Sequence, residues 1–444
     1  MTAQPAGQVV WRARVVVMCI ALSALSFHQS PGLIVPDTKL DMTANPGGFL
    51  LRSLHLWDPT GAFGRLQDQA YGYLIPMGPF HWVLSSVHVP AWVIQRLWWS
   101  LILCVAFVGL WRLVRALGIG APWAQFTAAL LYAVSPRMLS EVSISSIEVW
   151  PLAMAPWVLL PLVLPAPRTW LWRISRSALA FALIGGVNAV ATGAALVLPT
   201  LWLLTRRADR RTVLAGAGWL GLITAASLWW FLPLLQLGRY SPPFLDWIEN
   251  AATTTSTASV FESLRGTSAW IGFLAGSTGP SWPAGWQFVS TPLLIVGTSV
   301  VATAGLVGLS LRSTPHRRFL AIAAAVGLLL LTLGQSGAAG SPLAGPVQGL
   351  LDGPLAALRN THKFELVLLL PLMLAAAQGL TVAGVCLRAM RAPAFLAPVL
   401  MTSLVILVMA PAIVGVMALQ QGYVAIPAHW YQAAAWYQCA GMAT

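Results

Sequence analysis

Charge is scarce in this 444-residue chain: 8% of its residues are Asp, Glu, Lys or Arg, against 58% hydrophobic. Mean hydropathy is +0.75. That composition excludes a water-soluble domain, because the surplus apolar surface has to face lipid. Acid is scarcer than base, with 12 carboxylates to 25 lysines and arginines. The +13 net charge still does not point to nucleic acid. Nearly all the arginines sit in short clusters between apolar runs, which is the positive-inside pattern of membrane proteins. The four cysteines make no disulfide framework. No glycine-rich phosphate loop precedes a helix on the arginine-rich side, which argues against a nucleotide-sugar donor. His55, His81 and His88 lack ligand-like spacing. No metal site or other cofactor is read from the sequence; a divalent cation, if one is used, would rest on Asp37, Asp41 and water.

What the chain has in abundance is apolar runs. A bilayer core about 30 Å thick takes roughly 20 apolar residues per helix. Candidate spans cover residues 15–35, 91–110, 121–140, 147–165, 177–205, 212–235, 292–311, 319–333, 365–387 and 393–419. The first has Arg12 and Arg14 ahead of it, as a secretory signal would, but it runs on to Val35 and more spans follow, so it reads as an uncleaved helix. The fifth contains Gly185-Gly186-Val187-Asn188, turn chemistry inside an apolar run. Read as a hairpin of two short helices, it leaves sixteen basic residues, from Arg12 to Arg391, on the cytoplasmic side. Of the twelve carboxylates only Asp209 joins them, and the acids were not used to choose this topology. The expectation is an all-α polytopic protein with about eleven transmembrane helices, in the inner membrane. Its N-terminus would be cytoplasmic and its C-terminus outside. Three outer loops, 36–90, 236–291 and 334–364, would carry any chemistry.

The first loop opens with Pro36-Asp37-Thr38-Lys39-Leu40-Asp41. If locally helical, the spacing places Asp37 and Asp41 on one face. At the height of a lipid headgroup either carboxylate could serve as a general base, worth about 10² to 10⁴-fold in rate. On spacing alone, both read more readily as solvated loop acids with Lys39 as a neighbouring partner. Asn45-Pro46 looks like a helix start, with Phe49, Leu50, Leu54 and Trp57 on one stripe and Arg52 and His55 off it, suggesting an interfacial helix. Further on, Gln69, Tyr71 and Tyr73 supply the amide and aromatic faces that bind sugars. An interfacial aromatic belt would use the same residues.

The blocks PDTKLDM, NPGGFLLRSLHLWDP and QDQAYGYLIPMGPF, with SPRMLSEVSISSIEVWPLAMAPWVLLPL, GGVNAVAT, RNTHKFELVLLLPL and IPAHWYQAAAW, run over nearly the whole chain. They resemble the N-terminal membrane region of the mycobacterial α-(1→3)-arabinofuranosyltransferases of the AftD type. The resemblance implies a GT-C bundle over residues 1–420 whose catalytic acid follows the first helix, here Asp37, with Asp41 second. It implies transfer, with inversion, of D-arabinofuranose from decaprenyl-phosphoryl arabinose to the arabinan of arabinogalactan or lipoarabinomannan. Members of that family are much longer. Residues 421–444 are therefore expected to begin a truncated or missing periplasmic region, and a separate soluble carbohydrate-binding region is an expected partner beside donor, acceptor and bilayer.

A polyprenyl-phosphate leaving group needs positive charge, which Arg359, His362 and Lys363 could supply at the outer end of the tenth helix. The same side chains could simply snorkel to the interface. Glu141 and Glu148, with Arg137, flank a short outer turn, where they either line the substrate cavity or pair with one another. Trp247, Trp270, Trp282 and Trp286 make the second loop a cover or a packed plug. Two other classes remain open, a flippase of polyprenyl-linked sugars and a noncatalytic membrane scaffold. A flippase binds near the bilayer midplane, whereas ionisable residues here gather at one end.

Overall fold

A computed structural model describes residues 6–37, 39–59, 64–66, 70–164, 169–206, 209–240, 244–337, 339–418, 422–425 and 427–439. Helix α1 (Ala6–His28) leads into loop one, which holds α2 (Leu40–Ala44), α3 (Pro46–Ser53), the hairpin β1 (Trp57–Asp58) and β2 (Arg65–Leu66), and α4 (Met77–Ser86). Then come α5 (Ala91–Ala116), α6 (Pro122–Ala133), α7 (Pro136–Glu141) and α8 (Ser146–Val163). The hairpin follows as α9 (Trp170–Ala182), α10 (Ala189–Ala194) and α11 (Val197–Leu204), with α12 (Arg210–Gly238) after it. Loop two folds as α13 (Ala251–Ser256), α14 (Val260–Arg265), β3 (Ala275–Gly276), β4 (Gly279–Pro280) and α15 (Pro283–Ser290). Finally come α16 (Pro292–Ser310), α17 (Arg317–Thr332), α18 (Ala344–Asp352), α19 (Glu365–Ala389), α20 (Leu396–Ile413) and α21 (Ala428–Cys439). The two hairpins β1–β2 and β3–β4 are antiparallel.

Among the described residues seven helices are long and apolar enough to cross a bilayer. One shorter apolar helical segment, Ala189–Leu204 (α10–α11), accompanies them. This is a multi-pass membrane protein, and the glycine-marked run is a hairpin. Gly185 takes φ +82, and Asn188 caps α10 by accepting the Ala191 N–H at 3.2 Å. All three long loops gather at one end, called here the loop end.

Two expected spans break early, for local reasons. The first ends at His28, not Val35. Gln29 turns back to the Leu25 and Ala412 carbonyls at 3.1 and 2.7 Å, and the chain continues without helix to Asp37. The third divides at Ser135-Pro136, where proline opens α7.

The core lies on α5, α8 and α19. Helix α8 contains Pro151, Pro156 and Pro161. A proline has no N–H, so Pro156 leaves the Leu152 carbonyl without its helical donor. The buried Tyr132 hydroxyl fills the vacancy at 2.6 Å. Helices α16 and α19 meet through glycines: a Cβ on Gly308 would strike the Ala375 carbonyl, and one on Gly379 the Ala304 carbonyl. Small residues of this kind let membrane helices approach backbone to backbone.

Loop three docks on loop two. Thr255 donates to the Gly334 carbonyl at 2.8 Å, and the Ala251 N–H to Asp352 Oδ1 at 2.8 Å. Trp282 is buried and Trp247 is 84% exposed, so the tryptophans divide between plug and surface.

Candidate active site at the loop end

Asp37 stands on a non-helical stretch that α5 holds from one side. The Gln95 amide pairs with both the N–H and the carbonyl of Val35, at 3.1 and 2.9 Å. Arg96, fully buried, donates to the carbonyls of Gln29, Ser30 and Leu33 at 3.0, 3.1 and 2.9 Å. Its guanidinium stacks 4.1 Å from the Trp99 ring centroid. Trp99 in turn donates its indole N–H to Asp37 Oδ2 at 2.9 Å. On the other side the Ser146 N–H, first of α8, reaches Asp37 Oδ1 at 2.9 Å. The carboxylate thus caps a long helix at its positive end. The side chain is 3% exposed, and that burial raises its pKa above the ordinary carboxylate range. The bonds from Trp99 and Ser146 and the charge of Arg96 work in the opposite direction.

Asp41 does not share that face. Asp37 and Lys39 are not helical, α2 begins only at Leu40, and Asp41 lies at the surface beside Arg52 at 3.2 Å, 52% exposed. The expected pair on one helical face is therefore not formed, and a metal shared by the two acids has no support. Lys39, half-buried, has no partner for its ammonium among the described residues. Tyr71 and Tyr73 are buried: Tyr71 packs with Trp230 and Leu237, and Tyr73 meets Phe49 edge to face. Burial lifts the Tyr71 phenol to about 12. Neither tyrosine offers a face to a sugar. Gln69 lies outside the described residues. The expected interfacial stripe also stops short, since α3 ends at Ser53, Leu54 is exposed, and Trp57 belongs to β1.

A second cluster adjoins the first through α8, two residues after Ser146. Glu148 Oε1 accepts from Arg137 at 2.9 Å and lies 3.1 Å from His362 Nε2. Its Oε2 accepts from Asn188 at 3.2 Å and lies 3.6 Å from Lys363 Nζ. Arg137 also pairs with Glu141. Glu365, buried, accepts from Ser268 at 3.2 Å. One ligand atom each from Glu141, Glu148 and His362 lie within 4.8 Å of one another. No metal-like spacing was visible in the sequence because these donors come from three separate segments. Lys363 and Glu148 are the cluster's more open members.

Arg359 is not with His362 and Lys363. Its guanidinium, 4% exposed, donates to the Leu245 and Leu351 carbonyls at 2.8 and 3.3 Å and pairs with Asp352 at 3.1 Å, fastening loop two to loop three. Sequence reasoning missed Trp99, Ser146, Asn188, Ser268 and Glu365. Glu365 was in plain view as the residue two after Lys363, and Asn188 was read only as a turn former.

Comparison with known proteins agrees with this fold. Residues 21–442 match the family described as alpha-(1->3)-arabinofuranosyltransferase, N-terminal GT-C domain. An alpha-(1->3)-arabinofuranosyltransferase of Mycolicibacterium smegmatis is 42% identical over 439 residues, covering 95% of this chain and 30% of the relative. One from Mycobacterium tuberculosis is 44% identical over 367 residues, covering 82% and 26%. The cryo-EM structure of arabinofuranosyltransferase AftD from Mycobacteria superposes with a TM-score of 0.76 at 34% identity, over 96% of this chain and 28% of that one. The chain thus spans less than a third of the length of these relatives. With its bundle of membrane helices and loop-end site, it belongs to the N-terminal GT-C domain family of the alpha-(1->3)-arabinofuranosyltransferases.

Proposed function

We propose that this chain is the membrane catalytic domain of an inverting arabinofuranosyltransferase, with Asp37 as general base. The donor is decaprenyl-phosphoryl arabinose and the acceptor a growing cell-wall arabinan. The acceptor hydroxyl attacks the anomeric carbon from the face opposite the phosphate. Its proton passes to Asp37, and decaprenyl phosphate leaves with the bonding electrons. The observation that carries this reading is the Asp37 carboxylate, enclosed and, among the described residues, held by the Trp99 indole on one oxygen and by Ser146 on the other. Each oxygen keeps a lone pair for the incoming hydroxyl. Enclosure also keeps bulk water, the competing acceptor, away from the base.

Lys363, the more exposed cation of the adjoining cluster, is assigned to the leaving phosphate, and Lys39 to the acceptor or phosphate beside Asp37. Arg359 serves by packing the loops. The loop end faces the outside of the inner membrane, with the N-terminus in the cytoplasm, in keeping with the arginine distribution. A soluble carbohydrate-binding region, in the same chain or a partner, would present the arabinan.

The test is Asp37→Asn. Asparagine still accepts the Ser146 N–H, so the α8 cap survives while the titratable base is gone. Transfer from decaprenyl-phosphoryl arabinose to a synthetic arabinan in membranes should fall by about 10² to 10⁴-fold. Full activity at normal expression would sink the assignment.

A further inference from the structure

The cluster beside Asp37 is short of positive charge. Glu141, Glu148 and Glu365 contribute three carboxylates, and Arg137 and Lys363 two cations. With a neutral imidazole and all three carboxylates ionised the group would carry one net negative charge, which would repel the phosphate it is meant to receive. It is also short of donors. Glu141 Oε2 and Glu365 Oε1 are buried with no hydrogen-bond partner among the described residues. Folded proteins rarely leave such atoms unmet.

We propose that Glu141, Glu148 and His362 bind a divalent cation of the manganese type. Around an ion with bonds of about 2.1 Å, adjacent ligand atoms lie about 3 Å apart and opposite ones about 4.2 Å. His362 Nε2 and Glu148 Oε1, 3.1 Å apart, have the separation of adjacent ligands. The full set, within 4.8 Å, needs only a small closure. Arg137 takes Glu141 Oε1, and Oε2 is buried without a partner among the described residues, so a Glu141 oxygen remains for the ion. An imidazole with two carboxylates suits Mn²⁺, Fe²⁺ or Zn²⁺ better than Ca²⁺ or Mg²⁺, which prefer oxygen throughout. Outer support is in place: Arg137, Asn188 and Lys363 hold Glu148. The ion turns the cluster from one net negative charge to one net positive, beside the point where the phosphate departs. This deepens the proposed donor-phosphate site, but ion binding is read without any transfer reaction, so the two can fail separately.

The experiment uses the full chain in detergent, stripped with a chelator and titrated with Mn²⁺ while free ion is followed by electron paramagnetic resonance. One ion per chain is expected. Glu141→Gln and His362→Gln should each weaken binding by at least about tenfold, and Asp41→Asn should leave it unchanged. Absence of Mn²⁺ binding by the wild-type chain would overturn the proposal and leave Arg137 as the resident cation, whatever the variants do. Binding indifferent to Glu141→Gln and His362→Gln, or lost with Asp41→Asn, would overturn it too.

Discussion

Asp37 and Asp41 are four residues apart and chemically alike, yet the fold gives them opposite surroundings. Asp37 is walled in by α5 and α8, with an indole and a helix-end amide on its carboxylate. Asp41 rides out on α2 to an ion pair at the surface. The difference arises in the backbone. Gln95 and Arg96 hold the non-helical stretch before Asp37 in place, and the helix that begins at Leu40 carries Asp41 away. What makes one acid a candidate base is therefore the set of donors built around it, some of them sixty and more residues away, and not its place in the loop.

The contrast breaks most directly by comparing the two asparagine variants. Asp37→Asn should cost about 10² to 10⁴-fold in kcat, and Asp41→Asn no more than about twofold. Equal losses in the membrane transfer assay would erase the distinction. Next in size is Lys363→Gln, expected to raise the donor KM by about ten- to a hundredfold through loss of a charge-assisted bond. An unchanged KM would remove Lys363 from the phosphate site.

Trp99→Phe sharpens the comparison from the Asp37 side. It deletes one donor to the carboxylate and should lower kcat by about tenfold. Asp37 acts as a base only when ionised, and burial raises its pKa, so activity is lost as pH falls through that raised value. Without the indole bond, which holds the value down, the loss should begin at a pH higher by about one unit. A pH–rate profile with an unmoved acid limb would show that Trp99 only packs. The smallest effect belongs to Arg52→Gln, which cuts the exposed pair with Asp41. Thermal unfolding in detergent should register under about 1 kcal/mol, and a larger loss would mean that Asp41 is as deeply built in as Asp37.

The bundle was legible because its signals are local. Apolar length marked the segments, and Gly185-Gly186-Val187-Asn188 with the arginine bias disclosed the hairpin. Asn45-Pro46 announced α3, which the structure starts at Pro46 with Asn45 accepting the Gly48 N–H. The site was less legible because its contacts are distant in sequence. The pairing of Arg137 with Glu141 and Glu148 could be anticipated from their spacing, but not the arrival of His362 and Lys363 from over two hundred residues downstream. Tyr71 and Tyr73 look like sugar platforms in a polar, glycine-rich loop. They are core because loop one folds onto α12 and α3, where Trp230 and Phe49 receive them. Arg359 was misplaced for the same reason, since it bonds the Leu245 and Glu249 carbonyls, more than a hundred residues upstream.

Helices α1 and α20 meet at the loop end. Gln29 bonds to the Ala412 carbonyl and the Met417 N–H, and Ile34 and Tyr423 exchange a pair of backbone bonds at 2.8 and 2.9 Å. Asp37 follows three residues after that bridge. The acid is thus mounted beside a strap that ties the segment after α1 to α20, and a pull transmitted along the chain beyond Tyr423 would reach the Asp37 backbone through that strap.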